Sequence, residues 1–189
     1  GKHDLIISGA RPHFWRPPVD NDYGANSPEN QAEWRAPFGT EAAKLTDERL
    51  EDGRMRLTFA RPILSGDAVV TVEYTVAIDG AVDVTQSMTV IGGKANPDIS
   101  GNGKGREAGE HTKLYRFGQH WVLPKGMDAV EWYGRGPMES AADRKAAAFV
   151  GRYTSTVADL ATPYARPQYN GTRTDTRWFH IGDGKGRGL

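Results

Sequence analysis

The chain reads as an all-β domain built from short antiparallel strands, and three observations predict it. Apolar and polar residues alternate with a period of two from Val70 to Val90, the pattern of a sheet packed on one face and wet on the other. The remaining strand-like runs are short and closely spaced, which favours a sandwich over βαβ units. Hydrophobic residues make up only 38% of the sequence beside 23 glycines and 11 prolines, a balance that suits many strands joined by tight turns.

In chain order, the first predicted element is the only helix. Ser27 is its N-cap, Pro28 takes the first position where a missing N–H costs nothing, and Pro37 and Gly39 end it after about Ala36. Arg54 to Ala60 is a strand candidate. Val70, Val72, Tyr74, Val76 and Ile78 then alternate with Thr71, Glu73, Thr75 and Ala77, and Val82, Val84, Met88 and Val90 alternate with Asp83, Thr85, Ser87 and Thr89. Asp79-Gly80 between them reads as a two-residue hairpin turn, because glycine accepts positive φ without a Cβ clash. Gly92 to Gly109 carries six glycines and reads as a solvated, mobile connection with no function of its own. Leu114 to Leu123, Ala129 to Tyr133, Ala147 to Tyr153 and Arg177 to Ile181 complete the strands. Gly182 to Gly188 alternates glycine with charge, but no helix follows and Lys185 precedes Gly186 where a phosphate loop needs Ser or Thr, so it is a turn.

At 189 residues the chain has the length of one domain with material for a real core. Its 24 basic and 24 acidic residues cancel, so no electrostatic excess argues for nucleic acid or an anionic membrane as partner. No apolar run approaches the roughly 20 residues that span a bilayer, and Gly1 to Gly9 has no signal-peptide core. With no cysteine, a disulfide framework and thiolate chemistry are excluded, while a cytoplasmic or periplasmic setting stays open.

Several groups are candidates for chemistry. Glu139 and Asp143, four apart, are the best local carboxylate pair, and a retaining glycosidase needs two carboxyl groups about 5–5.5 Å apart. Pro137 and the strand-like flanks point to a loop instead, and Arg144 beside Asp143 would hold a carboxylate ionised. Glu139, Asp143 and Arg144 are therefore read as a structural ion pair. Asp20-Asn21-Asp22-Tyr23-Gly24 packs short polar side chains against a glycine, which reads either as a tight turn or as a binding loop hinged at Gly24, with Ala25 to Gln31 as its mobile part. Tyr164, Gln168, Asn170 and Arg173 offer an aromatic face and planar hydrogen-bonding groups suited to a sugar; the competing reading is a rigid, proline-framed loop. Asn170-Gly171-Thr172 also fits a glycosylation sequon, a match too short to carry weight. Trp121, Trp132 and Trp178 lie in strand patterns and read as core, whereas Trp15 and Trp34 are the tryptophans for an exposed role. His3, His13, His111, His120 and His180 show no metal-binding spacing and no adjacent carboxylate cluster, so no metal site is predicted.

Two ordered blocks place these residues in a family. Phe14-Trp15-Arg16-Pro17-Pro18-Val19-Asp20-Asn21-Asp22-Tyr23-Gly24 resembles F-W-R-P-P-T-D-N-D-x-G. Glu131 to Arg177 carries Trp132-Tyr133-Gly134-Arg135-Gly136-Pro137, then Asp143-Arg144-Lys145, then Pro163-Tyr164-Ala165-Arg166-Pro167-Gln168-Tyr169-Asn170-Gly171, similar to W-Y-G-R-G-P, D-R-K and P-Y-x-R-P-Q-E-N-G. Both resemble the C-terminal, small-chain domain of the bacterial β-galactosidases of glycoside hydrolase family 2. Two departures stand out: Tyr169 replaces the motif's Glu, and Glu139-Ser140-Ala141-Ala142-Asp143-Arg144 replaces E-N-Y-x-D-R.

The resemblance implies an antiparallel β-supersandwich like galactose mutarotase, here incomplete at one or both ends of residues 1–189. It implies a segment of an enzyme that hydrolyses terminal non-reducing β-D-galactose residues with retention, through glutamates in an upstream barrel that this sequence does not contain. No catalytic residue is then expected in this chain and the segment alone is inactive. Its role would be to wall the active site and brace the barrel, with Trp15, Asp20, Asn21, Asp22, Gly24, Tyr164, Arg166, Gln168, Asn170 and Arg173 as substrate-binding or active-site-loop candidates. The implied partners are a β-galactoside and the barrel domain or a large subunit, in a homo-oligomer whose Mg2+ and Na+ bind mainly elsewhere. A non-catalytic small subunit of a two-chain enzyme and a free-standing carbohydrate-binding or mutarotase-like domain are the alternatives. If strands are missing, open edges and residues such as Val70, Val72 and Tyr74 lose cover, which predicts marginal stability and association.

Overall fold

A computed structural model describes residues 4–24, 27–95, 110–111, 114, 116–166 and 168–189. The fold is all-β, mostly in antiparallel sheets, as the alternation predicts. The chain divides into two compact units, one of Ala10–His120 and one of Gly1–Gly9 with Trp121–Leu189. β1 (Ser8–His13) and β8 (Gly118–Val122) form a two-stranded sheet.

In the Ala10–His120 unit, three short helical segments follow β1: α1 (Asp20–Gly24), α2 (Ser27–Asn30) and α3 (Ala32–Arg35). The single helix predicted from Ser27 to Ala36 is thus broken at Gln31, whose φ of −99° and ψ of 0° leave the helical ladder. Gln31 is buried and Trp34 beside it is 4% exposed; burying both outweighs a continuous helix. Pro37 stops the run where the sequence places its end.

Four strands then form an antiparallel meander in sequence order: β2 (Lys44–Arg49), β3 (Met55–Ile63), β4 (Ala68–Val76) and β5 (Val82–Val90). In the β4–β5 hairpin Val76 faces Val82 and Val70 faces Met88. The turn is one residue longer than predicted. Ala77 N–H donates to Ala81 O at 2.8 Å, so Ile78-Asp79-Gly80 form the loop, with Gly80 at φ 90°. That is the three-residue hairpin in which a glycine in the left-handed region restores the strand direction. Ile78, expected on the apolar face, is consequently exposed.

Phe14, Trp34, Ile63, Ala68 and Val70 make the core of this unit, with Phe38, Leu64, Met88 and Leu114 packed against them. Val70 and Val72 are 2% and 5% exposed. At the start of the predicted Gly92–Gly109 loop, β6 (Lys94–Ala95) pairs parallel with β7 (Glu110–His111) just past its end; the stretch 96–109 lies outside the described residues.

The second unit centres on β9 (Ala129–Gly136), flanked antiparallel by β10 (Phe149–Thr156) and β11 (Trp178–Gly182). Val130 and Trp132 are buried on one face, while on the other Tyr133 pairs with Trp178, their centroids 6.4 Å apart. Trp178 is 42% exposed, against its reading as core, because its register places it beside Tyr133 on the open face. The glycines of Trp132-Tyr133-Gly134-Arg135-Gly136 answer to close approach. A Cβ at Gly134 would lie 2.8 Å from the Thr176 backbone, and one at Gly136 would lie 2.7 Å from the Tyr153 ring.

Candidate functional site

The candidate residues fall into two groups, one in each unit. In the Ala10–His120 unit the run after Phe14 is organised by Asp22. Its carboxylate accepts Arg16 Nη1 at 2.5 Å and Nη2 at 3.0 Å, and the Val19 N–H at 2.8 Å. The Arg16 hydrogen bonds hold the Asp22 carboxyl below the usual range, against the opposing effect of burial. Asp22 N–H returns to Val19 O at 2.8 Å, so the motif is the first turn of a helix rather than an irregular tight turn. Asp20, Asn21 and Tyr23 face solvent. Trp15 is half-buried, with the Arg35 guanidinium 5.2 Å from its ring centroid. Trp34, expected to be exposed, belongs to the core.

Gly24 closes α1 without positive φ, and a Cβ there would meet nothing within 4 Å. The positive φ expected of a hinge at Gly24 is therefore not found. Residues 25–26 of the proposed mobile stretch lie outside the described residues. Gly24→Ala is expected to stay within about 1 kcal/mol of the parent on the stabilising side, since the substitution mainly restricts the unfolded chain. Thermal melts of the pair check this, and a loss above about 1 kcal/mol would restore a special role for the glycine.

In the second unit Glu139 is the organiser, at 8% exposure. One carboxylate oxygen accepts the Tyr164 hydroxyl and lies 3.0 Å from Arg144 Nη2; the other accepts the Gly171 N–H at 2.8 Å. Arg144 also donates to the Tyr169 carbonyl at 2.7 Å and to Gln168 Oε1 at 3.3 Å, with its guanidinium 5.6 Å from the Tyr164 centroid. Asp143 is exposed and outside this pair, a correction to the three-residue ion pair: Arg144 turns inward to Glu139 and its neighbour turns out. Asn170 and Thr162 exchange reciprocal bonds, Thr162 N–H to Asn170 Oδ1 at 2.9 Å and Asn170 Nδ2 to Thr162 O at 2.5 Å.

Arg173 lies under the loop, 5.3 Å from the Trp132 centroid, and donates to the Leu160 and Pro137 carbonyls. Burial pulls its pKa down and the Glu139 charge opposes that. Ser140, fully buried, takes Thr174 N–H on its hydroxyl at 3.0 Å. Tyr164, Gln168, Asn170 and Arg173 thus all make hydrogen bonds within this unit, as a rigid loop would. Arg166 is exposed on it, and Pro167 lies outside the described residues.

One cluster escaped the sequence reading. His111 lies between Glu33 and Asp67, so a histidine does have adjacent carboxylates. His111 is 78 positions from Glu33 and 44 from Asp67, and no local spacing could have joined them. Among the described residues no group of three or more His, Asp or Glu converges as a metal would require.

A family model described as beta galactosidase small chain matches residues 1–188. Similar proteins include a beta-galactosidase of Priestia megaterium, 30% identical over 98% of this chain, one of Vibrio cholerae, 33% over 94%, and one of Lactobacillus delbrueckii subsp. bulgaricus, 34% over 92%. The chain spans only 16% to 17% of the length of these relatives.

Proposed function

Because the chain belongs to the beta galactosidase small chain family, we propose that it works as a segment of a retaining β-galactosidase of glycoside hydrolase family 2, acting on terminal β-D-galactose residues. The observation that carries this reading is the coverage: relatives with that name match nearly all of the chain, which accounts for about one sixth of theirs. In this reading residues 1–189 serve as one supersandwich domain of the mutarotase-like type, the bond-breaking glutamates belong to a barrel outside them, and any Mg2+ and Na+ bind mainly there.

Two features support a bracing and walling role. The Glu139 knot gives the Tyr164–Arg173 loop a fixed shape suited to buttressing a neighbour. The α1 run, locked from behind by Arg16 and Asp22, presents Asp20, Asn21 and Tyr23 to solvent, as a pocket wall requires.

Alone, the chain is expected to release no chromophore from a nitrophenyl β-galactoside above the buffer rate. In place of the matching segment of the Priestia megaterium enzyme it should sustain hydrolysis. Turnover by the isolated chain that tracks the protein through chromatography and vanishes in Glu139→Ala would overturn the assignment, as would a chimera that assembles yet hydrolyses nothing.

A further inference from the structure

A cleft of about 560 Å³ beside α3 holds a group that the proposed function does not use. His111, on β7, places Nδ1 3.0 Å from Glu33 Oε2 and Nε2 2.8 Å from Asp67 Oδ2. Ionised carboxylates only accept hydrogen bonds, and a neutral imidazole carries a single N–H. A neutral ring would satisfy one carboxylate and turn a lone pair on the other. Both contacts together call for a ring with two N–H groups, the imidazolium, in charge-assisted bonds.

We propose that His111 is a proton-dependent clasp, tying α3 to the start of β4 while its ring is charged and letting go of one side when the proton leaves. What it restrains is a strained turn. Leu64, Ser65 and Gly66 have φ of 53°, 57° and 98°, and the first two are non-glycine residues in a region that costs energy and persists only where surroundings enforce it. Asp67 follows directly. Its carbonyl accepts Ile91 N–H at 2.8 Å and Gly92 N–H at 3.0 Å, and its Oδ1 lies 3.0 Å from where a Cβ on Gly92 would be. Leu64 N–H is anchored on Pro37 O at 2.9 Å. Releasing Asp67 therefore loosens the turn and the end of β5 together.

The groups facing the ring are Glu33 from α3 and Asp67 from the turn; Glu41 is the other titratable side chain lining the cleft. Burial is the largest single influence on His111 and lowers its pKa, but the hydrogen bonds and charges of Glu33 and Asp67 together outweigh it, so the net shift is upward from 6.5. A raised folded pKa means the clasp's stabilisation is complete below the unfolded value, about 6.5, and is lost as pH rises through the folded value.

The test uses the whole chain with carbon-13-labelled histidine. The His111 ring should titrate above 6.5, and Glu33→Gln should bring its midpoint down. As pH rises past that midpoint, exchange of the Ile91 and Gly92 amides, corrected for base catalysis, should speed up by as much as about tenfold per pH unit, the limit for one linked proton. His111→Gln should abolish that pH dependence. A His111 midpoint at or below 6.5, a midpoint unmoved by Glu33→Gln, or exchange with the same pH profile in His111→Gln would each overturn the clasp; the first needs no variant to fold.

Discussion

Glu139→Ala is expected to destabilise the unit of Trp121–Leu189 by about 3 kcal/mol. The substitution leaves the Tyr164 hydroxyl and the Gly171 N–H without their acceptor and Arg144 without its counter-ion. An orphaned buried polar group costs about 1–3 kcal/mol, and breaking a buried ion pair about 3–5 kcal/mol. Arg144 keeps 35% of its side chain in water, which brings the sum to the lower end. Glu139→Gln retains an acceptor for Gly171 and should lose less. Urea unfolding of both, in a cycle with Tyr164→Phe, measures the effect and the coupling. A loss below about 1 kcal/mol in Glu139→Ala would mean that the loop keeps its shape without the carboxylate.

The second large effect is expected in the other unit. Phe14 is 2% exposed and its ring lies 5.9 Å from Trp34, 6.2 Å from Phe38 and 5.8 Å from Phe117. Truncation to alanine removes the centre of that aromatic cluster and leaves a cavity, at a cost of about 3–5 kcal/mol. Phe179→Ala serves as control, since that ring is 62% exposed and should change stability little. Thermal melts showing equal shifts for the two variants would contradict this account of the core.

What could be read from the sequence follows from how local the signal is. The β4–β5 hairpin was legible because its alternation spans both strands, and β9, β10 and β11 were found near their places for the same reason. β2 was missed: Lys44-Leu45-Thr46-Asp47-Glu48-Arg49 is exposed throughout, so an edge strand bearing charge on both faces shows no period of two. β1 was missed because Ser8–His13 contains glycine and proline, which read as loop. The helical register failed at Gln31, where burial decides the backbone. At the candidate site, the loop's shape depends on contacts such as Arg144 to Tyr169 that span 25 positions, and the cluster around His111 is more distant still.

The Glu139 loop also says which of its positions can drift. Arg144 holds residue 169 by the carbonyl oxygen, a group that every amino acid supplies. That is why a tyrosine can stand where the related motif has glutamate without unmaking the knot. Position 139 must bring a carboxylate, 164 a hydroxyl at the end of a ring, and 171 a residue at ease with a φ of 83°. A randomised library at 169 should consequently keep the Arg144 anchor in many sequences, whereas one at 139, 164 or 171 should collapse back onto the residue already there.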